Sequence, residues 1–140
     1  MRILIAAAVA VALGAAASAQ QPQWTPPTPK NLQVLPKDMP PRAVVATMRS
    51  FAQGLGVRCQ QCHVYKGTNA DDLNAYDFAS DEKEDKKVAR TMLKMVMGIN
   101  DTLKDVGDPP AAGELKVTCY TCHRGDKHPL SKKPDAPPAN

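Results

Sequence analysis

Apolar side chains recur at helical spacing in two stretches of the chain, and nowhere do they alternate over a useful length as along a half-buried strand. The first stripe is Val44, Val45, Met48 and Phe51. Pro41 is a favoured first-turn residue, and Gly54 and Gly56 stand where a helix stops, so a helix is predicted from Pro41 to about Gln53. The second stripe is Val88, Met92, Met95, Val96, Ile99, Leu103 and Val106. Asp81, Glu82, Glu84 and Asp85 crowd its start, where the helix dipole favours negative charge, and Gly107-Asp108-Pro109-Pro110 blocks its continuation. A helix is therefore predicted from Ser80 or Asp81 to about Val106.

The rest reads as connection. Residues 20–40 form a Pro-rich extended arm, residues 64–80 a polar loop carrying Tyr65, Tyr76 and Phe78, and residues 127–140 a basic Pro-rich tail. At the N-terminus, Met1-Arg2 precedes an apolar run from Ile3 to Leu13 and then Ala17-Ser18-Ala19, the pattern of a cleaved signal peptide over residues 1–19. The expected location is the periplasm. No later segment is long and apolar enough to span a bilayer, so no transmembrane segment is expected in the mature chain.

Composition sharpens the picture. The 140 residues suit one small domain, residues 41–126 in this reading, yet Phe, Trp and Tyr together make up only 4% beside 13 prolines. A core with so few rings is thin, and something else must fill it. The four cysteines point to what. All of them fall in two copies of one pattern, Cys59-Gln60-Gln61-Cys62-His63 and Cys119-Tyr120-Thr121-Cys122-His123.

Two thiols separated by two residues can each add across one vinyl group of the same porphyrin edge, and the adjacent histidine then reaches the iron. Cys59, Cys62, Cys119 and Cys122 are thus read as the covalent attachment points of two haem c groups, with His63 and His123 as axial ligands. A zinc site wants its four thiolates convergent, and a thioredoxin-like dithiol needs a βαβ setting; neither fits this arrangement. Loss of Arg2 with the signal peptide lowers the formal charge from +4 to +3, which about four propionates on two haems would roughly offset, so no nucleic-acid partner is implied.

The opposite face of each iron decides between carrier and catalyst. After His63 and His123 only His128 remains, so two bis-histidine sites are impossible within one chain. Methionine is the available soft ligand. Met48, on the apolar stripe of the first helix, is the candidate for the first haem, with Met39 in the arm as the alternative. For the second haem, Met92 and Met95 share a face and spacing does not separate them. His128 is the remaining alternative.

Several runs are familiar. Val88-Ala89-Arg90-Thr91-Met92-Leu93-Lys94-Met95, then Ile99-Asn100, then Val117-Thr118-Cys119-Tyr120-Thr121-Cys122-His123-Arg124-Gly125 resemble the cytochrome subunit of the photosynthetic reaction centre, as does the stretch from Asn31 to Leu35 leading to Met48 and Gly54-Leu55-Gly56. The resemblance covers roughly residues 31–126. That family carries four haems in two related halves, each built like this chain, with a methionine from the helix before each motif as sixth ligand. The resemblance therefore implies Met48 for the first haem and Met92 for the second. It also implies a histidine shortly after Ile99-Asn100 for a further haem, but the region reads Thr102-Leu103-Lys104-Asp105-Val106, in keeping with two haems only.

The expected fold is all-α with little regular structure: a small multihaem c-type cytochrome with two main helices and long loops wrapped around two haems. The expected function is single-electron transfer between other redox proteins as donor and acceptor, among them a membrane redox complex. The alternatives are a dihaem peroxidase or small-molecule reductase with one open iron, and a haem-bearing subunit of a larger redox complex.

Overall fold

The computed structural model describes residues 24–132. The signal peptide expected at residues 1–19, the first residues of the arm and the end of the tail lie outside the described residues. The regular elements are α1 (Pro41–Leu55), β1 (Val64–Tyr65), β2 (Tyr76–Asp77), α2 (Glu84–Leu103) and α3 (Cys119–His123), with single 3-10 turns at Cys59–Gln61 and Leu73–Ala75. Three helices, one two-stranded ribbon and long loops match the expected helical, loop-rich class.

Helix α1 starts at Pro41, whose missing N–H is one that a first turn leaves unbonded in any case. It closes at Gly56, where φ is +63° and the carbonyls of Ala52 and Gln53 accept the last N–H groups. Helix α2 is shorter at both ends than the predicted span from Ser80 or Asp81 to about Val106. Residues 78–82 do not start it because side chains take their backbone groups. Asp77 accepts from the N–H groups of Ala79 and Ser80, Ser80 accepts from Glu82, and the Lys86 ammonium donates to the carbonyls of Phe78, Ala79 and Ser80 at 2.6–3.1 Å. Asp81 lies outside the helix, paired with Lys86 and Arg90 at 3.2 and 2.8 Å. Beyond Leu103 the chain turns through Gly107 at φ +65°, which leaves Val106 exposed rather than on the stripe.

The segment read as plain loop from 64 to 80 is a short antiparallel hairpin, with Tyr65 opposite Tyr76 and Val64 opposite Asp77. Two residues per strand carry no detectable alternation. Tertiary pairing of the two tyrosine rings, 4.8 Å between centroids, holds the ribbon instead.

The apolar core is as thin as the composition suggested. Among the described residues only Tyr76 and Val96 are buried large apolar side chains, and none is fully buried. Packing is closest where α1 meets α3. A Cβ on Gly54 would stand 3.0 Å from the Cys119 Cβ and from the Tyr120 nitrogen, and the Gly54 carbonyl accepts the Gly125 N–H at 3.0 Å. A Cβ on Gly56 would meet the Gly125 carbonyl oxygen at 1.9 Å. Gly56→Ala is therefore expected to destabilise the protein by about 2–4 kcal/mol, through left-handed backbone strain plus overlap with a backbone atom. A thermal melt of the purified protein followed by circular dichroism checks this; an unchanged midpoint would contradict the contact.

Candidate haem-binding sites

Both cysteine motifs fold as a single turn that starts at the first cysteine and leads to the histidine. In the first, the carbonyl of Cys59 accepts the N–H groups of Cys62 and His63 at 3.2 and 3.0 Å. In the second, Cys119–His123 is a five-residue helix whose leading Thr118 donates its N–H to the Thr121 hydroxyl at 3.0 Å. Arg124 follows at φ +53° and donates its N–H to the Tyr120 carbonyl, which ends the turn at once. All four thiols are free, and burial raises the pKa of Cys62 and of Cys119.

The two histidines are prepared differently. His123 Nδ1 stands 3.0 Å from the Asp126 carbonyl oxygen. A carbonyl can only accept, so Nδ1 carries the proton and Nε2 is left as the free donor nitrogen. His63 is buried deeper, and its Nδ1 has no hydrogen-bond partner. Burial, with the positive charge of Lys86 adding to it, pushes its pKa down to about 4, so the ring is neutral at physiological pH. An orphaned buried imidazole nitrogen costs about 1–3 kcal/mol until it is satisfied.

An aromatic cluster surrounds the first motif. Phe78 meets the His63 ring edge-on at 5.1 Å, stacks on Tyr76 at 5.4 Å and contacts Trp24 at 6.4 Å. The Tyr76 hydroxyl lies 3.1 Å from Gln60 Oε1, inside the motif, and 2.9 Å from the Ala70 carbonyl. Four of the six Phe, Tyr and Trp residues thus gather around one motif. The second motif instead faces an apolar cleft of about 300 Å³ lined by Phe51, Gly54, Leu93, Val96, Leu115 and Cys119, among others.

The candidate sixth ligands divide by helix. Met48 sits half-buried on α1, and Met39 half-buried in the arm. Met92 and Met95 are 42% and 50% exposed on α2. Around α2, Met92 lies about 40° from Val96 and about 100° from Leu93, which line the cleft, whereas Met95 lies about 100° and about 160° from them. His128 is exposed in the tail, its backbone N–H bonded to Asp126.

The sequence model described as "Photosynthetic reaction centre cytochrome C subunit" matches residues 64–133, half of the chain. The chain belongs to this family. The match takes in α2 and the whole second motif and begins one residue after His63. Among curated proteins, cytochrome c-554 of Chloroflexus aurantiacus is 37% identical over 69% of this chain and 20% of its own length. The photosynthetic reaction center cytochrome c subunit of Thermochromatium tepidum is 32% identical over 71% of this chain and 21% of its own, and that of Roseobacter denitrificans 38% over 51% and 17%. The chain thus spans about a fifth of the length of the curated relatives it matches. No solved structure matches it significantly.

The residues present fit the covalently held haem c that membership of a cytochrome c family implies. Each motif offers two thiols one turn apart and an imidazole with a nitrogen to give, and thioether methionines stand on the adjoining helices. Among the described residues no three His, Cys, Asp or Glu side chains cluster as a metal site, and no helix is long and apolar enough to cross a membrane.

Phe78 was legible in the sequence, with Tyr65 and Tyr76, as part of the loop from 64 to 80 expected to cover one haem edge, and the structure sets it against His63; two further contributors to the site were not. Asp85 accepts from Gln61, inside the first motif, and from Lys127 at 2.8 Å, beyond the second, and these contacts hold its carboxyl below the usual range. Asn100 ties α2 to the backbone of Val117. The last two are long-range contacts that no local pattern announces.

Proposed function

We propose that the chain is an exported, periplasmic dihaem c-type cytochrome that carries single electrons between other redox proteins. In this reading residues 1–19 are a cleaved signal peptide, 20–40 an arm, 41–126 the dihaem domain and 127–140 a tail. Cys59 and Cys62 hold one haem with His63 and Met48 on its iron; Cys119 and Cys122 hold the other with His123 and Met92. Each bound haem supplies a reversible one-electron iron couple.

The protein's part is to fix ligands and keep water away. The Asp126 carbonyl holds the His123 tautomer, and burial keeps His63 unprotonated, so both imidazoles are in the form that binds iron. A methionine sulfur stabilises the reduced state relative to a second histidine and raises the potential. A histidine and a methionine held to each haem in this way would leave no place for a substrate at the metal. The exposed Cys59 and Cys122 mark the side from which partner proteins would reach each haem.

The observation that carries this reading is the pair of single-turn motifs, each presenting two thiols and a histidine. A second reading has support from the names of the relatives, two of which are reaction-centre subunits. In that reading the chain serves as a haem-bearing subunit of a membrane redox complex.

A pyridine haemochrome assay on the purified mature protein is expected to return two haems per chain. A redox titration should then resolve two one-electron steps, and the reduced protein should leave carbon monoxide unbound. One haem or none would overturn the dihaem assignment, and gas binding at either iron would favour a peroxidase or reductase. Co-migration with a membrane complex in native gels would favour the subunit reading.

A further inference from the structure

We propose that Asn100 is the positioning residue that sets α2 against the second haem motif, and with it the reach of the α2 methionine to the second iron. The inference rests on the dihaem reading above. Its basis is a complete accounting of one side-chain amide. Asn100 Nδ2 donates to the Val96 carbonyl at 2.8 Å and to the Val117 carbonyl at 2.7 Å, while Oδ1 accepts the Val117 N–H at 3.0 Å. Both amide protons are used, and the side chain bonds Val117 on both sides of its backbone, as a neighbouring strand would.

The location gives this bond its consequence. Val117 is two residues before Cys119 and directly precedes Thr118, which leads into α3. Asn100 is one turn beyond buried Val96 and two turns beyond Met92, on the same stripe of α2. The covalent connection cannot set this spacing, because residues 104–115 are exposed throughout and include Gly107, Pro109, Pro110 and Gly113. Among the described residues, the side-chain hydrogen bonds joining α2 to the chain beyond that loop are at its two ends: Asp85 with Lys127, and Asn100 with Val117. Only the second of these leads straight into the thiols.

A donor–acceptor pair on a short, stiff side chain is suited to this task. Aspartate keeps the size and the acceptor but cannot donate to Val117. Leucine keeps the volume and loses all three bonds, leaving partly buried backbone groups unpartnered. An iron–sulfur bond depends on separation at the ångström scale, so loosening this tie acts on the second methionine and leaves α1 and the first motif alone.

The test uses the full-length holoprotein carrying Asn100→Leu and, separately, Asn100→Asp. Both variants are expected to retain two haems per chain. The methionine–iron charge-transfer band should lose about half its intensity in Asn100→Leu, and reduced protein should bind one carbon monoxide per chain where the parent binds none. One of the two titration steps should move to lower potential while the other stays in place. Asn100→Asp should show the same changes to a smaller degree, and it carries the test alone if Asn100→Leu fails to accumulate. Full band intensity and unchanged potentials, even with a lowered melting temperature, would make Asn100 merely structural and overturn the inference. A parent protein with fewer than two haems would instead defeat the dihaem reading on which it rests.

Discussion

Replacing Cys59, Cys62, Cys119 and Cys122 together by alanine is expected to abolish cooperative folding. Side-chain loss at these positions is small; the loss of what they hold is not. Fixing the backbone costs about 1–2 kcal/mol per residue, and this fold offsets that with two buried large apolar side chains and a loose remainder. Burying an apolar area on the order of 400 Å² contributes about 10 kcal/mol, as much as the whole net stability of an ordinary domain. In the dihaem reading, two macrocycles would therefore contribute more than the polypeptide's own packing. The exposed apolar residues Met92, Met95, Leu115 and Tyr120, on α2 and around the second motif, belong to the same account. Circular dichroism should show most of the helical signal lost and no sigmoidal melt. A native-like cooperative transition in the quadruple variant would show that the chain folds on its own core.

Met48→Ala and Met92→Ala are each expected to open one iron and spare the other. Each variant should lose about half of the methionine–iron band, show one high-spin haem, and bind one carbon monoxide per chain when reduced. The potential of the affected haem should fall by an amount on the order of 100 mV, well inside the span of roughly 0.8 V that axial ligation commands. Met95→Ala should leave the spectrum unchanged, because Met95 is farther around α2 than Met92 from Leu93 and Val96, which line the cleft at the second motif. If Met95→Ala opens an iron and Met92→Ala does not, the assignment on α2 is reversed.

What could be read in advance followed the range of the forces involved. Covalent attachment needs a fixed spacing of residue types, so the two motifs stood out in the linear sequence. Pro41 and Gly56 mark the ends of α1 through backbone sterics, which are local, and α1 fell within two residues of its predicted end. Helix α2 starts later than predicted, because the Lys86 ammonium and the Asp77 and Ser80 side chains claim the backbone groups of residues 78–82. That competition depends on tertiary placement. The hairpin joining Tyr65 to Tyr76 and the bonds of Asp85 and Asn100 were hidden for the same reason: each joins residues 11 to 42 positions apart. Gly54 was legible as a helix stop, yet its stronger role is to let Cys119 approach.

That last contact makes α1 a shared wall. The helix runs directly into the first motif at one end of its turn and lies against the second along its final residues, so one rigid rod gauges the separation between the two attachment sites. Evolution can lengthen or trim the 104–116 excursion without altering that gauge. In the dihaem reading, the rate at which an electron hops from one centre to the other would thereby be insulated from insertion and deletion in a surface loop.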